Sequence, residues 1–320
     1  MKNMFYSVRH ITTFVYSAPI SESAMELRMQ PRSESGQRCL QFELTTNPRA
    51  RIHAYRDHLG NVVHHFDIPA RHAQLRITTE ATVEMSSAAA LPDSLADNSW
   101  EALGAPAIES SHWEFLHPSH FVERTALLDG FARDLRLERR RDPLSLLREV
   151  NTGIFQSFDY MPHSTQVDSP IDDALKARQG VCQDFAHIML ALVRPLGIPA
   201  RYVSGYLFQG DEHRDRSDVG ATHAWIETWL PDVGWIGFDP TNNLIVGERH
   251  IRVAVGRDYA DVPPTRGVFK GKADTELSVS VHVSPNKEPP RDEEMLTGMT
   301  WVSSEPEEED DQQQQQQQQQ

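Results

Sequence analysis

The chain has 320 residues, 39% hydrophobic and 24% charged, enough apolar material for one large domain or two smaller ones. Its net charge of −15 speaks against a general nucleic-acid binder, which would carry a basic face. Two cysteines, Cys39 and Cys182, cannot build a disulfide framework, and no apolar run is long enough to cross a membrane as a helix.

The charge is uneven. Residues 287–320 hold ten acids and two bases and end in nine glutamines, which leaves the rest of the chain at only −7. The first twenty residues lack the apolar run and small-residue cleavage site of a secretory signal, so the expected location is cytoplasmic.

In chain order, the first 110 residues read as strands joined by short polar turns. Phe5 to Tyr16 is β-branched and aromatic, and Gln37 to Thr46 and Arg51 to Tyr55 follow. Asp57-His58-Leu59-Gly60-Asn61 is a turn before Val62 to Ile68. From Gln74 to Met85, Leu75, Ile77, Thr79, Ala81 and Val83 repeat at period two on one face. This predicts an antiparallel β-sandwich over 1–110. Ser86 to His120, rich in Ala, Ser and Pro, reads as a linker with short helix.

Helical spacing begins with Leu127, Leu128, Phe131 and Leu135, and Pro143 opens a second helix through Val150. Asp168 to Gly180 contains a short helix. A largely buried helix then runs from Cys182 to the Pro195-Leu196-Gly197 stop. Strands follow at Ile198–Leu207, Ala224–Leu230 and Gly234–Phe238, with one more at Glu276–Val283. The expected division is a sandwich over 1–110, an α/β core over 111–285 and a disordered acidic, glutamine-rich tail over 286–320.

The chemistry gathers in the second part. Cys182 stands at a helix start, where free amide N–H groups and the helix dipole favour a thiolate. Gly180, two residues earlier, leaves no side chain to block approach to the sulfur. His223 opens a strand 41 residues after the cysteine, and Asp239 ends the next strand 16 residues later. If the two strands pair about residue 231, His223 and Asp239 face each other. A carboxylate there would hold one imidazole nitrogen and aim the other at the sulfur. Taken singly, each residue has a plainer reading: a core cysteine, a strand-edge histidine, a turn-forming Asp-Pro. Their order and spacing favour a triad.

Gly180-Val181-Cys182-Gln183-Asp184-Phe185-Ala186-His187, Gly197-Ile198-Pro199-Ala200-Arg201-Tyr202-Val203-Ser204-Gly205-Tyr206, Thr222-His223-Ala224-Trp225 and Gly237-Phe238-Asp239-Pro240-Thr241 together resemble the bacterial transglutaminase-like superfamily. Phe158, Tyr160, Pro162, Ser164 and Thr165 resemble the segment that runs before its catalytic helix, and Arg257-Asp258-Tyr259 a segment after it. The resemblance implies an α+β protein: a β-sandwich followed by a papain-like core. It also implies Cys182 as nucleophile, His223 as base and Asp239 as the residue that orients it. Papain-like proteases proper fit less well, since Lys176 stands where their oxyanion glutamine would be.

The reaction implied is acyl transfer on a peptide or protein amide, with no cofactor and no nucleic-acid or membrane partner. Hydrolysis ranks ahead of cross-linking to an amine because water needs no second binding site. A catalytically dead binding module is the third reading. Gln183, Gly180 and Trp225 are the candidates for oxyanion or substrate contacts, although alternation along its strand suits Trp225 equally to the core. His187 and Asp184 read as structural. The fifteen histidines show no compact ligand spacing, so no metal site is expected.

Overall fold

The computed structural model describes residues 3–286 apart from 88–89, 211–214 and 219. The chain opens with six strands: β1 Met4–Ile20, β2 Glu22–Leu27, β3 Gln37–Asn47, β4 His53–Arg56, β5 Val62–Ile68 and β6 His72–Met85. Two short helices follow, α1 Ser99–Leu103 and α2 Pro106–Ser111, then α3 Ala126–Asp134 and α4 Pro143–Ser157. A two-residue strand β7 Asp159–Tyr160, helix α5 Ile171–Ala177 and a second short strand β8 Gln179–Gly180 lead into α6 Cys182–Val193. The rest is strand: β9 Ala200–Leu207, β10 His223–Leu230, β11 Gly234–Asp239, β12 Leu244–Ile245, β13 His250–Gly256, β14 Thr265–Lys270 and β15 Thr275–Asn286.

Helices α3 and α4 begin where the sequence supplies caps. Thr125 accepts the Leu128 N–H at 3.1 Å ahead of α3, and Asp142 accepts the Ser145 N–H at 3.1 Å ahead of α4, whose first residue is Pro143. In β6 the period-two pattern holds: Leu75, Ile77, Thr79, Ala81, Val83 and Met85 are all buried.

Three antiparallel sheets carry the fold. Two form the predicted sandwich, with strand orders β15-β1-β6-β3 and β14-β2-β5-β4. Tyr16 and Ile20 of β1, Leu27 of β2, Phe66 of β5 and Leu75 and Ile77 of β6 form the core between them. The third, β12-β11-β10-β9-β13, belongs to the α/β part. Ala224, Ile226 and Leu230 of β10 pack into one cluster with Phe185, Met189 and Leu192 of α6.

The expected α+β architecture is present, with one difference in how the chain is shared out. The sequence reading gives everything from 111 to 285 to the core. Strands β14 and β15 instead return to the sandwich, β14 pairing with β2 and β15 pairing with β1 over twelve residues without a register shift. The reading also passes over β2, whose Glu-Ser-Ala-Met-Glu-Leu is helix-forming in composition and is held extended by its two neighbours. The tail expected to be disordered lies, from residue 287 on, outside the described residues.

Candidate active site

Three element ends converge. Cys182 is the first residue of α6, His223 the first of β10 and Asp239 the last of β11. Asp184 fixes the start of the helix. Its buried Oδ2 accepts the Val181 N–H at 2.8 Å and the Thr165 hydroxyl at 2.6 Å. Burial pushes its carboxyl pKa up, which those two donors oppose. This is the structural role the sequence suggests for Asp184.

Gly180 serves that cap rather than the substrate. A Cβ on Gly180 would come within 2.9 Å of Asp184 Oδ2 and 3.1 Å of the Phe185 ring. The space a side chain would need is already filled from inside the protein.

The register between β10 and β11 differs from the expected one. Leu230 pairs with Gly234 and Ile226 with Phe238, so the hairpin centres on residue 232 and not 231. The turn takes three residues, with Asp232 at φ 64° and Gly234 at φ 83° in left-handed conformations. His223 and Asp239 are therefore diagonal neighbours. Such pairs stand roughly 7–8 Å apart, within reach of an imidazole and a carboxylate. His223 Nε2 meets Asp239 Oδ2 at 2.8 Å, with the histidine 3% exposed and the aspartate fully buried.

That contact leaves Nδ1 as the ring nitrogen available to sulfur; it is buried and, among the described residues, has no hydrogen-bond partner. Burial works against a charge on His223, but the Asp239 carboxylate and the Cys182 sulfur outweigh it and push the pKa up to about 10. Asp239 shows the mirror effect: burial would raise it, and His223 and His250 hold it far below the usual carboxylate range. Cys182 is half-buried, packed at the edge of the core around α6. Burial pushes the Cys39 thiol, by contrast, up to about 12, and it hydrogen-bonds the Gln41 carbonyl at 3.4 Å.

The other sequence candidates are placed as follows. The Gln183 side chain donates to the Val167 carbonyl at 2.9 Å, so its amide is committed to the neighbouring loop. Trp225 is fully buried between Val203 and Val255, with Leu59 and Val246 against the cluster. It is a core residue beside the site, its indole 5.9 Å from the His223 ring centroid, and does not line an open cleft. His187 is buried and neutral, its pKa driven down to about 3 by burial, and accepts the Tyr259 N–H at 3.2 Å.

Three neighbours were given no role by sequence reasoning, which named Tyr160 only within a segment of resemblance. Tyr160 is tied to the cysteine helix by pairing of its strand with Gly180, and its hydroxyl accepts the Asp218 N–H at 3.3 Å. The nearby Cys182 sulfur adds to the burial that raises its pKa. Asn242 donates from Nδ2 to Asp239 Oδ2 at 2.8 Å, and its own N–H reaches Oδ1 at 3.2 Å. The Asp239-Pro240-Thr241-Asn242 run carried that signal, as an Asp whose side chain closes the turn after it. His250 Nε2 lies 3.2 Å from the same Oδ2. Eleven residues and another strand separate it from Asp239, so no local pattern announces it.

His223, Asp239 and His250 are the group among the described residues whose donor atoms lie close enough together, within 4.8 Å, to be considered for a metal. Their closeness is that of hydrogen bonds at 2.8 and 3.2 Å aimed at one another. An ion there would have to displace a proton that His223 holds to about pH 10.

A half-buried thiol at a helix start, a buried histidine and a buried carboxylate thus stand at the ends of three elements of an α/β core. The chain belongs to the transglutaminase-like superfamily. Residues 6–84 match the bacterial transglutaminase-like N-terminal region, and residues 131–240 match the transglutaminase-like superfamily core. An uncharacterized protein of Mycobacterium leprae is 36% identical over 278 residues, covering 87% of this chain and 97% of its own. The protein-glutamine gamma-glutamyltransferase of Pseudomonas aeruginosa is 32% identical over 152 residues, which is 45% of this chain and 22% of that protein. The crystal structure of a cysteine-protease candidate from Cytophaga hutchinsonii shares the fold, with a TM-score of 0.71 at 21% identity over 91% of this chain and 93% of that one. Among the described residues, no helix is long and apolar enough to cross a membrane.

Proposed function

We propose that the chain is a thiol-dependent acyl-transfer enzyme acting on peptide or protein amides, with hydrolysis as its reaction. The observation that carries this reading is the His223 ring, held at Nε2 by Asp239 and raised to a pKa of about 10 beside Cys182. An imidazolium in that position stabilises a thiolate and has a proton ready for a leaving amine.

The Cys182 sulfur attacks the amide carbon. The C–N bond breaks as His223 delivers its proton to the nitrogen, leaving a thioester. Water, deprotonated by His223, then attacks the thioester, and the sulfur leaves as thiolate. The main-chain N–H of Cys182, which as the first residue of α6 has no intrahelical acceptor, is the oxyanion donor of this reading. Both cysteines are free, and the chemistry suits a reducing compartment such as the cytoplasm.

The name of the Pseudomonas relative supplies the second reading, in which a lysine amine replaces water. The test compares wild type with Cys182→Ala on a panel of amide and glutamine-containing peptides, measuring peptide or ammonia release and incorporation of a primary amine. Release that depends on Cys182 is expected. Incorporation dominating at modest amine concentration would install cross-linking instead. Peptide binding with no turnover by wild type would leave only a binding module.

A further inference from the structure

Asp239 is held by more than the histidine it serves. Oδ1 accepts the N–H groups of Thr241 at 3.0 Å and Asn242 at 3.2 Å. Oδ2 receives His223 Nε2 at 2.8 Å, Asn242 Nδ2 at 2.8 Å and His250 Nε2 at 3.2 Å. Four of these contacts come from the turn Asp239 itself begins or from its triad partner. The fifth comes from β13, at the opposite edge of the five-stranded sheet from β12.

We propose that His250 is a positioning residue for the Cys182–His223–Asp239 site, acting as a neutral N–H donor that fixes the Asp239 carboxylate in the orientation His223 needs. The proposal rests on the reading of those three residues as a triad. The ring is locked on three sides. Nδ1 faces the Gly247 N–H at 3.5 Å, which leaves Nε2 as the donor toward Asp239. Trp225 packs against the ring edge to face, with centroids 5.3 Å apart. His250 itself is 2% exposed.

The groups facing it explain why a histidine suits the place. Asp239 comes from β11, His223 from β10 and Arg249 from the turn immediately before β13. A second fixed cation touching Oδ2 would compete with the imidazolium of His223 for the one carboxylate. Burial, His223 and Arg249 together keep His250 neutral against the pull of Asp239. It therefore steadies the carboxylate without spending its charge. An apolar side chain would leave Oδ2 with one donor fewer and the carboxylate freer to turn.

The test needs no substrate. The full chain is alkylated with iodoacetamide across pH, and the rate at Cys182 is read by peptide mass mapping. Wild type is compared with His250→Gln, His250→Phe and Asp239→Asn, each checked by thermal melting. Glutamine can present an N–H close to the Nε2 position, whereas phenylalanine keeps the ring against Trp225 and loses the donor.

The expected result is an alkylation profile displaced by about one pH unit in His250→Phe, the size of one lost charge-assisted hydrogen bond. His250→Gln should restore the wild-type profile. A residue that only packs would lower the melting temperature and leave the profile of the folded protein where it was. Should His250→Phe fail to fold, His250→Asn, polar but too short to reach Asp239, takes its place in the comparison. If Asp239→Asn shifts the profile and the His250 variants do not, the proposal is overturned and the triad stands. If Asp239→Asn shifts nothing, the triad reading itself falls.

Discussion

His223 is surrounded by protein yet keeps its proton to about pH 10. An ordinary histidine gives it up near 6.5. Burial alone would take the value down, as it does for His10 and His64, each driven to about 4. Asp239 and Cys182 reverse the sign at this one position. The raised value fixes a pH window. The stabilisation from the imidazolium is fully present below about 6.5, declines above it and is lost as pH rises through about 10. Catalysis through an imidazolium should follow the upper edge, so the rate on an amide substrate should fall with an alkaline limb near pH 10. Rate measurements from pH 6 to 11 check this, and a limb near 7 would mean that Asp239 does not hold the proton on His223.

β10 ties that residue chemistry to the rest of the sheet. His223, Trp225 and Glu227 share one face by alternation, and Ala224 and Ile226 share the face toward α6. Glu227 is completely buried, and burial opposes its charge. Arg252 and Arg201 outweigh that, Arg201 at 2.7 Å, and hold its pKa below the usual range. Replacing it as Glu227→Gln removes the fully buried negative charge between two largely buried guanidinium groups of β9 and β13. Breaking such a buried arrangement from one side costs about 3–5 kcal/mol. A loss of that size in the unfolding free energy from urea titration is expected. A loss below about 1 kcal/mol would show that the two arginines find water or another acceptor, such as Glu34, which already lies 3.7 Å from Arg201.

The same strand shows what the sequence could and could not disclose. Cys182, His223 and Asp239 were legible because each lies at the end of an element with strong local signals: a glycine before a buried helix, and a strand on each side of a Pro-Asp-Val-Gly turn. Their pairing was legible only to within one residue of the hairpin centre, since the left-handed Asp232 that lengthens the turn has no distinctive sequence mark. His250 and Glu227 act through contacts between strands far apart in sequence. Their roles depend on sheet order, which period-two patterning leaves open. Trp225 was ambiguous for the same reason: Val203 and Val255 bury it, with Leu59 and Val246 against the cluster.

Residues of the sandwich bear directly on the sheet that carries His223 and Asp239. Gln37 hydrogen-bonds both the N–H and the carbonyl of Arg252 at 2.8 Å, and Asn61 does the same for Val255 at 2.8 Å. Leu59 packs on the Trp225 cluster, and His10 Nδ1 lies 3.0 Å from the Tyr206 hydroxyl of β9. The outer face of the sheet, with Trp225 and the Glu227 pairs, is thus covered by turns of the sandwich. The sandwich in turn depends on residues 265–286, because β14 and β15 are the outermost strands beside β2 and β1. Cutting between the two matched regions should therefore damage both pieces. A fragment of residues 1–110 would expose the whole β15-facing edge of β1 and the β14-facing edge of β2, two unpaired edges open to association. A fragment of residues 111–286 would uncover the Trp225 face and strand two partnerless sandwich strands. Expressed separately, both fragments should aggregate or give no cooperative melt, whereas the chain ending at Asn286 should melt as one transition. Circular dichroism melts and size-exclusion profiles of the three products check this, and a 1–110 fragment that is monomeric, strand-rich and cooperative would show the sandwich to be an independent domain.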